Sequence, residues 1–115
     1  MLARRPVGTP PTESHLETRF VQMNRSAGLP EPDRQVEIHD RFGTFIGRVD
    51  FALGRLLVEC DSRKFHGGDA AFMKDGDRWN RLQAEGYWPM VLTSEHIERS
   101  PARTVDLIRR TQEHL

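Results

Sequence analysis

The chain has 115 residues with 17 Lys and Arg balanced by 17 Asp and Glu, so it fits one domain and its zero net charge excludes a globally basic nucleic-acid-binding surface. No apolar run approaches the ~18 residues of a membrane span and no signal-peptide core is visible, so we expect no membrane partner. The single cysteine excludes an internal disulfide and a cysteine-rich zinc site, which favours a cytoplasmic location.

The beginning of the chain predicts an arm followed by a helix. Residues 1–12 contain three prolines and are predicted to be a flexible arm or linker remnant, with the folded domain over residues 13–115. A helix is predicted from Glu13 to Ala27, ended by Gly28. Its apolar stripe consists of Leu16, Phe20, Met23 and Ala27.

The next segments predict a strand and a hairpin. Alternating residues indicate a first strand over 35–39, and a hairpin follows over residues 46–62. Gly54-Arg55 suits a two-residue type II′ turn. With that turn, one face carries Val49, Phe51, Val58 and Cys60, and the other carries Arg48, Asp50, Glu59 and Asp61.

The hairpin register places Asp50 directly opposite Glu59. Like charges at opposed positions destabilise a strand pair, so one interpretation is that the two carboxylates hold a cation. The alternative is an exposed hairpin in which water solvates both charges. Cys60 lies on the apolar face and is predicted to be an inert buried thiol.

Two helices and one strand are predicted in the rest of the chain. A helix from Asp69 to Glu85 is ended by Gly86, a strand covers Trp88–Thr93, and a last helix covers Arg103–His114. In this last helix Val105, Leu107 and Ile108 are expected to point inward, and Ser100-Pro101 starts the helix. We also expect Trp79 and Trp88 to be core residues. The predicted order is αβββαβα, with one sheet covered by helices.

The order and spacing of several segments resemble a known family. The segments are SHLETRF, GLPEPDRQV, RVDF, LLVECDS, His66 and DGDRWNRLQAEGYWPMVLTS. Together they resemble the PD-(D/E)xK nuclease superfamily, and within it the group similar to very-short-patch repair endonucleases. This resemblance implies an α/β single domain with a three-layer restriction-endonuclease-like fold and a central mixed sheet. It also implies a metal-dependent endonuclease acting on DNA.

By this resemblance, Asp50 and Glu59 are metal ligands and the backbone carbonyl of Cys60 is a third. The implied cofactor is Mg²⁺ or Mn²⁺, because hard cations of this type prefer carboxylate oxygens and substrate phosphate. Glu17 corresponds to a further carboxylate beside the metal. Ser14 and Glu17 also form a capping-box pattern, which leaves a purely structural role for Glu17 open.

The chain departs from the superfamily motif at one position. Asp61 stands where the motif has lysine. It could be a further metal ligand, or it could form a cross-strand ion pair with Arg48. The repair-type group lacks that lysine too, and a histidine beyond the strand is similar to its acid/base group, so His66 is a candidate proton carrier. Lys64 and Arg78 are candidate contacts to DNA phosphate.

Alternatives remain for several of these residues. His66 has the alternative of a loop histidine without a catalytic task, and Arg78 that of an ion pair with Asp75 on its own helix. The missing lysine and zero net charge also leave open a catalytically inactive nuclease-like domain that binds nucleic acid or a protein partner. A homodimer or a separate DNA-recognition domain would be compatible with either function.

Overall fold

Four strands form one mixed sheet with helices around it in the part of the chain that the structure describes. The structure is a computed structural model that describes residues 11–61 and 69–115, and the side chains of residues 14–61 and 76–115. In chain order the elements are α1 (Pro11–Ser26), β1 (Asp33–His39), β2 (Phe45–Leu53), β3 (Leu56–Cys60), α2 (Asp69–Ala84), β4 (Trp88–Leu92), a π-helix (Glu95–Arg99) and α3 (Pro101–Gln112).

The sheet order is β1-β2-β3-β4, antiparallel over the first three strands and parallel between β3 and β4. Two tight connections join the antiparallel strands, whereas α2 provides the crossover that parallel neighbours require. Gly54 has a φ of 62° and Arg55 does not have a positive φ, as a type II′ turn requires. The predicted register of Leu53 with Leu56 is confirmed.

The predicted order αβββαβα is confirmed, and the boundaries shift by a few residues. The first helix begins at Pro11, inside the segment predicted as an arm. Ser14 therefore lies inside the helix, where its carbonyl accepts a hydrogen bond from Thr18 Oγ1 at 3.1 Å. The capping-box interpretation of Ser14 and Glu17 is wrong for this reason, since a cap residue must precede the first turn. The π-helix between β4 and α3 was not predicted.

Helices cover both faces of the sheet, in three layers. One core cluster joins α1, the π-helix and α3 to strands β2, β3 and β4: Leu16, Phe20, Val21, Met23, Phe51, Leu53, Leu56, Val58, Cys60, Leu92, Ile97, Val105 and Ile108. The second cluster joins α2 to the opposite face: Ile38, Ile46, Val49, Ala52, Leu57 and Leu82. Val49 was predicted to share a face with Phe51, and this prediction is wrong: Val49 packs in the second cluster and Phe51 in the first. The reason is that the strand is irregular at Asp50, between the two residues.

Two predicted core residues are exposed. Trp88 is exposed on β4, an edge strand that has a neighbour on one side only. Leu107 is exposed on α3, whose buried residues are Thr104, Val105 and Ile108. Leu107 lies about 100° around the helix from Ile108 and falls outside that buried stripe. Within the described ranges, no helix is long and apolar enough to cross a membrane.

Candidate carboxylate site

Asp50 lies at a break in the ladders that β2 forms with β1 and β3. The β1–β2 ladder passes from Arg34↔Phe51 to Val36↔Val49 without a Gln35–Asp50 pair, and the β2–β3 ladder ends at Phe51↔Val58. The predicted Asp50–Glu59 ladder pair is therefore not formed. Instead, Asp50 Oδ2 accepts the backbone N–H of Cys60 at 2.9 Å, so a side chain takes over the hydrogen bond of a strand partner.

Gln35, opposite this break, connects it to helix α1. Its φ is 51°, in the left-handed region that side-chain-bearing residues rarely adopt. Gln35 Nε2 donates a hydrogen bond to Glu17 Oε1 at 3.4 Å. Glu17 therefore sits on the sheet-facing side of α1, next to the irregular part of β1.

Cys60 is the last residue of β3. The side chain is buried in the first core cluster. Burial raises the pKa of this thiol far above its ordinary value, and the carboxylates of Asp50, Glu17 and Glu59 raise it further, in that order. The prediction that the Cys60 thiol is buried is confirmed.

Glu59 is paired with an arginine from α2. Arg78 Nη2 donates to Glu59 Oε1 and, at 3.4 Å, to the backbone carbonyl of Arg48. The two side chains are 29% and 33% exposed, so the ion pair is partly shielded from water. Gly47 makes room for it, because a Cβ at that position would lie 2.5 Å from Arg78 Nε.

The other predicted site residues are described only in part. Asp61 follows β3 directly, and its N–H donates to the Leu92 carbonyl at 2.9 Å. The β2–β3 ladder does not extend to the predicted Arg48–Asp61 register. Lys64 and His66 lie outside the described residues, as does the side chain of Asp75.

Sequence reasoning missed Gln35 and the contact between Arg78 and Glu59. The glycine at position 47 was an available signal for the second, because glycine inside a strand often marks the close approach of another group. No local signal indicated the positive φ of Gln35. In the described part of the chain, no three His, Cys, Asp or Glu residues form a group that could hold a metal ion.

These features define a mixed-sheet α/β protein with a carboxylate cluster, Asp50 and Glu59, at the carboxyl end of β3. No family model matches the chain. The chain is similar to proteins of Mycobacterium tuberculosis from strains CDC 1551 / Oshkosh and H37Rv, both described as uncharacterized. Each is 35% identical over 96 residues, which cover 82% of this chain and 34% of the relative, so the chain spans only a part of the length of these relatives. No solved structure matches the chain.

Proposed function

We propose that this protein is a divalent-metal-dependent endonuclease that hydrolyses DNA phosphodiester bonds in a restriction-endonuclease-like fold. The observation that carries the proposal is that Asp50 Oδ2 accepts the Cys60 N–H at 2.9 Å, which places the Asp50 carboxylate beside the Glu59–Cys60 peptide at the end of β3. Carboxylates gathered at one place repel each other, and such groups occur where a cation or a proton relieves the repulsion.

The topology supports the proposal. The family resemblance implies an antiparallel-then-mixed sheet with flanking helices, and the residue patterns predict the order αβββαβα. The chain has this order, with β4 parallel to β3 after α2. Both carboxylates of the implied motif lie on neighbouring central strands, Asp50 on β2 and Glu59 on β3.

The chemistry of the donors fits a hard cation. Mg²⁺ binds proteins through one or two carboxylates and completes its coordination with water and phosphate oxygens. Asp50, Glu59 and the Cys60 carbonyl would hold the ion, which supplies charge neutralisation at the phosphate and a more acidic bound water. Because Asp50 Oδ2 accepts the Cys60 amide, its position relative to the end of β3 is already set without the ion.

The remaining roles fall to residues of the chain around the carboxylates. Arg78 carries five N–H donors, of which those on Nη2 contact Glu59 and the Arg48 carbonyl, so donors are left for a phosphate oxygen. We assign a proton-carrying role to His66 from the family resemblance, and phosphate contact to Lys64 because it belongs to the basic residues that cluster in sequence around the carboxylates. Neither assignment depends on a described side-chain position.

Cleavage assays test this proposal. Plasmid and oligonucleotide DNA are incubated with the protein in Mg²⁺, Mn²⁺ or EDTA, and we expect cleavage that EDTA abolishes. Glu59→Gln should abolish cleavage, whereas Glu113→Gln, at the far end of α3, should not. Cleavage that persists in EDTA or in Glu59→Gln would contradict a metal-dependent mechanism.

The second candidate is a nuclease-like domain that binds DNA or a protein partner without cleaving. The ion pair between Arg78 and Glu59 favours it, because the guanidinium already neutralises a carboxylate that the metal would need. DNA binding without cleavage under all metal conditions would support this candidate over the enzyme.

A further inference from the structure

The hairpin tip between β1 and β2, residues 40–44, exposes an aromatic ring. Phe42 is 84% exposed, more than any other large hydrophobic side chain that the structure describes. Exposing a large apolar side chain forgoes stabilisation that burial would provide. Phe45, which follows the tip, is also exposed.

Hydrogen bonds around Asp40 hold the backbone of this tip in one arrangement. The N–H groups of Phe42 and Thr44 both donate to Asp40 Oδ1 at 2.9 Å. The Asp40 N–H donates to the Thr44 carbonyl at 2.8 Å, and the Gly43 N–H donates to the Asp40 carbonyl at 3.0 Å. The phenyl ring of Phe42 is thus carried on a preorganised backbone, which lowers the entropy cost of using it in a contact.

Three arginines line the path from the carboxylate cluster to the tip. Arg78 contacts Glu59 and the Arg48 carbonyl, and Arg81, three residues further along α2, donates to the Phe45 carbonyl at 3.4 Å. Arg41, in the tip itself, donates to Glu85 at 3.3 Å and to the Ala84 carbonyl at 3.3 Å. Within the described chain Arg81 forms no ion pair, and each guanidinium keeps unused N–H donors.

The spacing matches a nucleic-acid strand. Asp50 lies five residue steps along β2 from Phe45, a rise of about 17 Å at ~3.3 Å per step. Successive base pairs of a DNA duplex are ~3.4 Å apart along the axis, so this rise corresponds to about five base pairs. A strand with one phosphate at the carboxylates would pass the tip about five nucleotides away.

We propose that the β1–β2 hairpin tip is a DNA contact in which Phe42 stacks on a base while Arg41 and Arg81 bind phosphate oxygens. This inference rests on the proposed function, since it takes DNA as the ligand. The recognised chemistry is the π-face of a base, which either a single strand or an opened duplex step presents. Arg41, Arg78 and Arg81 supply positive charge that is complementary to DNA phosphates. An apolar protein partner would not require this charge.

Fluorescence anisotropy with labelled 20-mer DNA, single-stranded and duplex, tests the inference in EDTA so that no cleavage is needed. We expect Phe42→Ala to weaken binding by about 5- to 100-fold in at least one form, and Phe42→Trp to keep it. Phe42→Leu should behave like Phe42→Ala, because leucine keeps apolar surface without a π-face. Leu107→Ala on α3 is the matched control for an exposed hydrophobic residue and should have no effect.

Salt titrations separate stacking from phosphate contacts. The logarithm of the DNA-binding constant falls linearly with the logarithm of the salt concentration. The steepness of this fall should stay unchanged in Phe42→Ala and decrease by about 0.7 to 0.9 in Arg81→Gln. If Phe42→Ala loses affinity for only one of the two DNA forms, that form is the one whose base stacks on Phe42. Wild-type affinity in Phe42→Ala, or full affinity in Phe42→Leu, overturns the stacking role while leaving the proposed nuclease intact. A wild type that neither binds DNA in EDTA nor cleaves it in Mg²⁺ or Mn²⁺ overturns this inference and the proposed function together.

Discussion

The ion pair between Arg78 and Glu59 allows a quantitative test of how the carboxylate cluster is stabilised without metal. Exposed ion pairs contribute about 0–1 kcal/mol, and removing one partner of a fully buried pair costs about 3–5 kcal/mol. With side chains 29% and 33% exposed, this pair lies between those limits. We expect Arg78→Gln to lower the free energy of unfolding by about 1–2 kcal/mol in EDTA at neutral pH.

Thermal melts of a double-mutant cycle measure the effect. For a domain of this size, 1 kcal/mol changes the Tm by about 4 °C, so Arg78→Gln should melt about 4–8 °C below the wild type. Glu59→Gln and the double variant complete the cycle, and we expect a coupling of about 1 kcal/mol. The matched control is the cycle of Arg110 and Asp106 on α3, whose side chains are 73% and 65% exposed and whose coupling should be under about 0.5 kcal/mol.

Metal addition extends the same experiment. If a cation occupies Glu59, millimolar Mn²⁺ should raise the Tm of Arg78→Gln more than that of the wild type, because the guanidinium no longer competes for the carboxylate. A coupling near zero in EDTA would refute the stabilising role of the pair. Equal responses of both proteins to Mn²⁺ would refute the competition between Arg78 and the metal.

Three further predictions concern single residues. Asp50→Ala should lower the free energy of unfolding by about 1–3 kcal/mol in EDTA, because the Cys60 N–H loses its acceptor. Asp50→Asn keeps an acceptor oxygen and should lose less. Denaturant titrations that give equal losses for both variants would contradict this account. Because the pKa of Cys60 is raised, the folded thiol stays protonated above pH ~8.5, where the unfolded thiol ionises. The free energy of unfolding of the wild type should therefore fall as the pH rises, by about 1.4 kcal/mol per pH unit more than that of Cys60→Ala. Parallel pH profiles of the two proteins would show that the thiol is not shielded. His66→Ala should lose single-turnover cleavage while DNA binding stays unchanged, and wild-type cleavage in that variant would remove His66 from the mechanism.

The order of elements and the β2–β3 turn could be predicted because their signals are local. Alternation of apolar residues indicates a strand within a few positions, and glycine at position 54 supplies the positive φ of a type II′ turn. The burial of Cys60 follows from the same alternation along β3. These properties depend on neighbours along the chain, so the sequence by itself determined them.

The arrangement of the carboxylates was decided by the tertiary structure. Glu59 meets Arg78 from a helix 19 residues away, Glu17 reaches Gln35 across 18 residues, and Asp50 bonds the Cys60 amide where the ladder ends. None of these contacts follows a sequence period, because the first two depend on how α2 and α1 pack against opposite faces of the sheet and the third depends on the break in the ladder at Asp50. Local pattern specifies which side chains lie on a strand, whereas the packing of distant elements specifies which charges become partners.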